Sequence, residues 1–328
     1  MKVLVTGGSG FLGSHIIEQL VGAGHTVRAV VRKTSDTKLL RSLSGVELVD
    51  AALSDVPTLE RAAAGVDAII HSAALVKAKD EDEFHRVNVG GTESLLAAGR
   101  AAKDTLKRFV LVSSLAAAGP SDEHGTPVTV DTPAHPVTRY GRSKRAAERA
   151  ALALKDELPI VILRPSAIYG PRDREILAIF KTVQLRLLPF FGSTQNKVSL
   201  VYGPDCAAAC IAALTADVPS GSTYFVDDGN VYTYERLFAA VERALGKRAL
   251  LRVPLPRALV ETVALANEAY GRAADRAVML TRDKCNELFS QFVCDSTPTR
   301  AALGWKPQVN IEEGVKRTAD WYRANGWL

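Results

Sequence analysis

Tyr140 and Lys144 stand four residues apart in Tyr140-Gly141-Arg142-Ser143-Lys144, a stretch that continues through Ala146, Ala147, Ala150 and Leu154 and reads as a helix. Residues at that spacing share one helical face. The pair suits proton transfer. A phenol with an ordinary pKa of ~10 exchanges protons poorly at neutral pH, and a neighbouring ammonium favours the phenolate and draws that value down. A hydroxyl nearby would hold the substrate oxygen while the phenol gives or takes its proton. Ser114 is the candidate, at the end of the apolar run Phe109-Val110-Leu111-Val112, and the carboxyl edge of a doubly wound sheet is where ligands sit. Taken alone, Tyr-x-x-x-Lys is also the pattern of an ordinary surface helix turn.

A carrier for the matching hydride is suggested by the opening, Met1-Lys2-Val3-Leu4-Val5-Thr6-Gly7-Gly8-Ser9-Gly10-Phe11-Leu12-Gly13-Ser14-His15. An apolar strand runs into a glycine-rich turn that holds Phe11 and Leu12, and then into a helix. Gly7 permits the tight turn, Gly10 lets backbone N–H groups approach a pyrophosphate, and Gly13 lets the helix lie close on the strand. The positive end of that helix faces the same anion. A second strand, Thr26 to Val31, is followed by Arg32 and Lys33. NAD-preferring sites place an acid here for the ribose hydroxyls, whereas an arginine fork suits a 2′-phosphate. NADP(H) is therefore expected over NAD(H).

Val46 to Val49 reads as a third strand, with Leu53-Ser54-Asp55 beyond it near the expected adenine. Ala68-Ile69-Ile70-His71 suits a buried parallel strand, and the small residues Ser72-Ala73-Ala74-Leu75 follow where a cofactor's backbone must pass closely. His71 reads as a hydrogen-bonded core histidine before it reads as a base. Residues 119–139, with four prolines, read as a long mobile loop carrying a solvated His124 and His135.

From Arg172 the strand–helix alternation breaks. Helical stretches are expected at 176–188, 234–245 and 311–327, with segments 250–256 and 258–274 between the last two, and strands at 198–201 and 223–226. The fold class expected is α/β: a Rossmann-type doubly wound parallel sheet over residues 1–170, with a return segment at about 199–226. A smaller substrate-binding subdomain would occupy mainly 171–328.

The bulk numbers set limits. The chain has 328 residues, 47% hydrophobic and 23% charged, with a net charge of +5. Its densest basic cluster, Arg139, Arg142, Lys144, Arg145 and Arg149, sits on one helix start, and no basic stripe with interleaved aromatics runs along the chain, so no nucleic-acid partner is expected. Cys206, Cys210, Cys285 and Cys294 show no metal-type spacing, and no metal is expected. No apolar run approaches the ~20 residues of a membrane span. The chain starts directly with a strand, leaving no room for a signal peptide, and a cytoplasmic location is the expectation.

The glycine turn, Ser114, Tyr140 and Lys144 together resemble the extended short-chain dehydrogenase/reductases. That is the NAD(P)-dependent epimerase/dehydratase superfamily, with dihydroflavonol reductases and 3-beta-hydroxysteroid dehydrogenases among its members. The resemblance extends to Asn88-Val89-Gly90-Gly91-Thr92, Leu163-Arg164-Pro165-Ser166-Ala167-Ile168-Tyr169-Gly170-Pro171 and Leu303-Gly304-Trp305-Lys306-Pro307. It implies a catalytic triad of Ser114, Tyr140 and Lys144, with Lys144 also binding the nicotinamide ribose. It further implies that the loop at 73–75 and the segment after Arg164-Pro165 line the nicotinamide, and that Asn88 supports the central strands. Leu53, Ser72, Ala73, Ala74, Asn88, Val112 and Pro165 complete the implied cofactor contacts, and a homodimer is left open. Two positions depart from the pattern: Ala52 replaces an Asp that meets the adenine, and Gly203-Pro204-Asp205 replaces the usual Val-Asp-Asp.

Within this resemblance, dehydratases carry an Asp-Glu pair after the hydroxyl residue, where this chain has Leu115-Ala116-Ala117-Ala118. Nucleotide-sugar epimerases carry an Arg-Asp pair where this chain has Lys197-Val198-Ser199-Leu200-Val201. What remains is an NADP(H)-dependent carbonyl reductase or alcohol dehydrogenase acting on a fairly apolar small molecule. Leu187, Leu188, Phe190 and Phe191 are the pocket candidates. A nucleotide-sugar epimerase is the alternative, and a non-catalytic dinucleotide-sensing protein the second. Such sensors typically lack the Tyr and Lys.

Overall fold

The computed structural model describes residues 1–328. Seven parallel strands form the central sheet. They are β1 (Lys2–Thr6), β2 (Thr26–Val31), β3 (Val46–Asp50), β4 (Ala68–His71), β5 (Arg108–Val112), β6 (Ile160–Pro165) and, after an excursion, Ser222–Val226, in the order (222–226)-β6-β5-β4-β1-β2-β3. The order reverses between β1 and β4, which opens a crevice at their carboxyl ends. Helices α1 (Phe11–Gly22), α2 (Lys38–Ser42), α3 (Val56–Ala63), α4 (Glu81–Phe84), α5 (Gly90–Ala101) and α6 (Arg139–Leu152) make the crossovers.

Alternation along the strands divides the core into two layers. Val3 and Val5 of β1 join Ile16, Ile17 and Leu20 of α1 on one face. Leu4 joins Leu59 of α3, Leu95 and Leu96 of α5 and Ala151 of α6 on the other. β4 is buried along its whole length, as its unbroken apolar run requires.

The second half adds β7 (Ala167–Tyr169), β8 (Leu187–Phe191), β9 (Lys197–Tyr202), β10 (the returning Ser222–Val226), β11 (Val231–Thr233) and β12 (Leu251–Leu255). Its helices are α7 (Leu177–Gln184), α8 (Gly203–Ala212), α9 (Tyr234–Leu245), α10 (Arg257–Ala273), α11 (Arg282–Leu288), α12 (Thr297–Leu303) and α13 (Ile311–Ala324). A separate apolar cluster holds α7, α9 and α13 together around Phe180, Phe238 and Tyr322.

Two expectations need correction here. Of the return segment at 199–226, only β10 enters the large sheet; β9 pairs with β7 and β11 in a three-stranded sheet of its own. The edge beside β6 has room for one strand, and β10 fills it from Ser222 to Val226. Residues 119–139 are not a free loop. Ser121 N donates to Gln291 O at 2.8 Å and Val128 N to Val293 O at 2.9 Å, so a distant segment takes up part of their backbone, and His135 N closes the stretch back onto Ala118 O at 2.8 Å. His124 and His135 are exposed as expected.

Candidate active site

The glycine turn lies at the β1 edge of the crevice. Gly7 has φ +75°, and a Cβ there would come within 2.7 Å of Ala73 N. A Cβ on Gly13 would overlap the Gly7 carbonyl oxygen, which is why α1 can lie so close to β1. At Gly10 the only neighbour within reach is Gly7 O, at 3.1 Å, so that side stays open. No side chain caps α1 and no acid stands in its first turn. An uncapped helix end beside an open glycine is a cradle for an anion such as a pyrophosphate.

A chain of hydrogen bonds shapes the other wall of the crevice. Ala73 N donates to Thr6 Oγ1 at 3.3 Å, and Thr6 Oγ1 meets His71 Nδ1 at 2.7 Å. His71 Nε2 meets Thr92 Oγ1 at 3.0 Å, and Thr92 donates to Asn88 O at 2.7 Å. Each hydroxyl has one proton to give, so the direction of the chain places the imidazole proton on Nε2. Burial, with Lys144 adding repulsion, pushes the His71 pKa down to about 3 and keeps the ring neutral. His71 is a structural link.

Asn88 sits in the wide π-type turn His85–Val89 between α4 and α5. Its Oδ1 accepts from Leu75 N at 2.7 Å, while Nδ2 donates to Leu75 O at 3.0 Å and to Ser143 Oγ at 2.9 Å. Its amide thus braces the loop after β4 against α6, a tie between loop and helix where support of the central strands was expected.

Three consecutive residues at the end of β5 meet three residues of α6. Lys144 Nζ donates to Val112 O at 2.6 Å, Ser113 Oγ donates to Glu148 Oε1 at 2.6 Å, and Tyr140 lies beside Ser114, the two lining one cavity. The start of α6 sets this register, because Thr138 Oγ1 accepts from Gly141 N at 2.9 Å and caps the helix. Ser114 Oγ also accepts from Ala116 N at 3.1 Å, which holds its rotamer.

Burial pushes the Tyr140 phenol up to about 12; Ser114 opposes this, and the carboxylates of Glu287 and Glu175 add to it. The net direction is therefore up where a lowering was expected: burial outweighs what draws the phenol down, Ser114 is the group that lowers it, and the Lys144 ammonium is turned to Val112 O at the end of β5. Burial brings Lys144 itself down to about 8, partly offset by Glu148.

Glu148 was not anticipated. It is fully buried, and Arg164 binds both its oxygens at 2.8 Å, with Arg145 at 2.9 Å. Burial alone would raise this carboxyl, but Arg164, Ser113 and Arg145 together hold it below the ordinary range. Its position one turn beyond Lys144, on the face carrying Ala147 and Ala151, was the signal available in the sequence.

Ser114 and Tyr140 line one cavity of about 280 Å³. Its apolar wall includes Ala78, Phe84, Ile168, Val278, Met279 and Phe292. Leu187, Leu188, Phe190 and Phe191 are absent from it, because they form β8, which pairs with β12. The polar groups come from far along the chain: Glu175, and Lys284 and Glu287 of α11, whose side chains pair at 2.5 Å. Ser166, just after β6, places a buried hydroxyl without a partner at the same wall.

The remaining predicted residues ring the crevice. Arg32 and Lys33 are exposed just past β2, and Arg32 has no carboxylate partner. Leu53 packs where a Cβ on Gly91 would meet it at 2.9 Å. Phe11 and Leu12 open α1, Ser72, Ala73 and Ala74 follow β4, and Pro165 ends β6. Asp205, at one of the departing positions, accepts from Gln308 N and Val309 N at 2.9 Å, so it anchors the approach to α13.

Comparison with known proteins follows the same lines. The ceramide reductase of Caulobacter vibrioides (strain NA1000 / CB15N) is 33% identical over 333 residues, covering 99% of this chain and 96% of the relative. The 2-alkyl-3-oxoalkanoate reductase of Stenotrophomonas maltophilia (strain K279a) is 30% identical, covering 97% and 98%. The crystal structure of DesIV, a dTDP-glucose 4,6-dehydratase from Streptomyces venezuelae with NAD and TYD bound, superposes with a TM-score of 0.81 at 25% identity, covering 100% and 98%. The model of the NAD dependent epimerase/dehydratase family matches residues 3–226. The chain belongs to that family, and it is an NAD(P)-dependent enzyme of the oxidoreductase or epimerase type.

Proposed function

We propose that the protein is an NADP(H)-dependent carbonyl reductase, working in reverse as an alcohol dehydrogenase, on a fairly apolar small molecule. The observation that carries the reading is the convergence of Ser114 and Tyr140 on a cavity with an apolar wall, with Lys144 buried behind them. The reductase names of the two relatives support it. Two of the cavity's three cations are already paired, which leaves Lys77 alone to meet a diphosphate: Arg139 is held by Asp283 at 3.4 Å and Lys284 by Glu287 at 2.5 Å.

In this reading the hydride for the carbonyl carbon would come from NADPH when it is bound. Ser114 Oγ donates to the carbonyl oxygen and orients it. Tyr140, protonated at neutral pH, gives its proton to that oxygen as the C=O bond becomes a C–O bond, and recovers a proton from solvent. Gly7, Gly10 and Gly13 with the start of α1 would hold the pyrophosphate, and Arg32, with Lys33 beside it, would meet the 2′-phosphate. Lys144 and the 72–75 loop braced by Asn88 would keep the ribose and nicotinamide in register with Tyr140.

The test is nicotinamide absorbance with purified protein, NADPH and a panel of apolar ketones, 3-oxo acids and nucleotide sugars. Ketone-dependent loss of NADPH is the expected result. Interconversion of nucleotide sugars without net absorbance change would replace the reading with an epimerase, and inertness towards the whole panel while the dinucleotide binds would favour a sensor.

A further inference from the structure

α10 inverts the pattern of an ordinary surface helix. Its buried positions are Val260, Ala264, Glu268 and Gly271, so one charged residue lies inside. Between Arg257 and Arg272 the most exposed positions are uncharged: Leu259, Val263, Leu265 and Tyr270, with alanines at 258, 266 and 269 and Thr262 among them, and the half-buried Glu261 is neutralised by Arg257 at 2.6 Å. Leu259 is 53% exposed and Tyr270 61%. Residues 259, 263, 266 and 270 follow a 4-3-4 spacing, so they form one stripe along the helix. Monomeric soluble domains rarely leave a contiguous apolar face of this kind uncovered.

The stripe adjoins the mouth of the cavity. Val278, which lines the cavity, packs on Gly271, and the Arg139 guanidinium at the cavity wall reaches Glu268 at 3.9 Å. Met279 and Val76 line the cavity and are also 48% and 58% exposed. Cations stand around this rim: Arg272, Arg276 and Lys77 have no carboxylate partner in the structure, on a chain of net charge +5. No helix is long and apolar enough to cross a membrane.

We propose that α10 lies in the surface of a bilayer carrying anionic headgroups. The uncharged face enters the headgroup–acyl boundary and Arg272, Arg276 and Lys77 meet the lipid phosphates. An apolar face flanked by Arg and Lys is the composition of interfacial helices, and anionic leaflets attract such clusters. Docked this way, the cavity mouth opens towards the lipid, and an apolar substrate reaches Tyr140 without crossing water.

The experiment is co-sedimentation of the full chain with vesicles of phosphatidylcholine alone and with 30% phosphatidylglycerol. The wild type is expected to pellet with the anionic vesicles and far less with the neutral ones. The double variant Leu259→Glu/Val263→Glu, at exposed positions outside the cavity, should bind at least tenfold less with an unchanged melting temperature. Leu259→Trp should bind as the wild type does, and its added emission should shift to the blue on the anionic vesicles. A wild type that stays in the supernatant with both vesicles overturns the proposal. So does a dimer that the double variant converts to monomer in solution, which would assign the face to a second copy. Vesicle binding needs neither cofactor nor turnover, so its failure is separate from a failure of the reductase reading.

Discussion

Lys144 Nζ donates to the carbonyl of Val112 at 2.6 Å, so the ammonium is fixed at the end of β5 while Tyr140, one turn earlier on α6, lies beside Ser114 two residues further along. The interaction is costly for the fold, because burial lowers the lysine's pKa to about 8. A lysine whose folded pKa lies below its unfolded value destabilises the native state at neutral pH, and the penalty fades as pH rises from about 8 towards ~10.4. Lys144→Met is therefore expected to raise the melting temperature at pH 7, with the gain shrinking by pH 10, while turnover falls at least about 100-fold. Calorimetry across that range checks it. A loss of stability at pH 7 would show that the lysine is there for packing.

Tyr140→Phe removes the proton donor and leaves the ring. Turnover should fall by about 10²–10⁴-fold, with dinucleotide affinity within about twofold. The phenol's high pKa, about 12, gives the two directions opposite pH dependence. Ketone reduction needs the protonated form and should be level through neutral pH. Alcohol oxidation needs the phenolate and should rise with pH, by up to about tenfold per unit. Parallel profiles would take Tyr140 out of the proton path.

Glu148 is a buried carboxylate whose charge is met by Arg164, Arg145 and Ser113. Glu148→Ala leaves Arg164, itself 4% exposed, without its partner, and should cost about 3–5 kcal/mol in urea denaturation. The folded carboxyl titrates below its unfolded value, so its contribution is complete above the unfolded pKa of ~4.3 and is lost as pH falls below it. Acid unfolding of the wild type should steepen there, and that of Glu148→Ala should not.

Arg32 has no carboxylate partner and is exposed just beyond β2. NADPH is expected to bind at least about tenfold more tightly than NADH, a difference of about 1.4 kcal/mol. Arg32→Ala should erase most of that preference by weakening NADPH alone, as read by fluorescence titration. Equal affinities in the wild type would remove the argument from the basic residues after β2.

Much of this was legible along the chain because it depends on local chemistry. The glycines at 7, 10 and 13 announce themselves by type and spacing, and each proves to stand where a side chain would collide or block an open cradle. Tyr140 and Lys144 could be placed on one helical face from their spacing, and His71 could be read as buried from the apolar run before it.

Tertiary packing decided what depends on residues brought together from afar. The sequence determined which groups could do chemistry, since residue type and short-range period are local properties. Only the fold determined that Lys144 faces Val112, that Glu148 is locked to Arg164, and that Glu175, Lys284 and Glu287 meet at the cavity that also takes in Val76, far earlier in the chain. It also decided that Leu259, Val263 and Tyr270 of α10 face outward, which no periodicity could reveal. A stripe spaced 4-3-4 looks the same whether a core or a foreign surface covers it, and the difference lies in what the rest of the chain leaves uncovered.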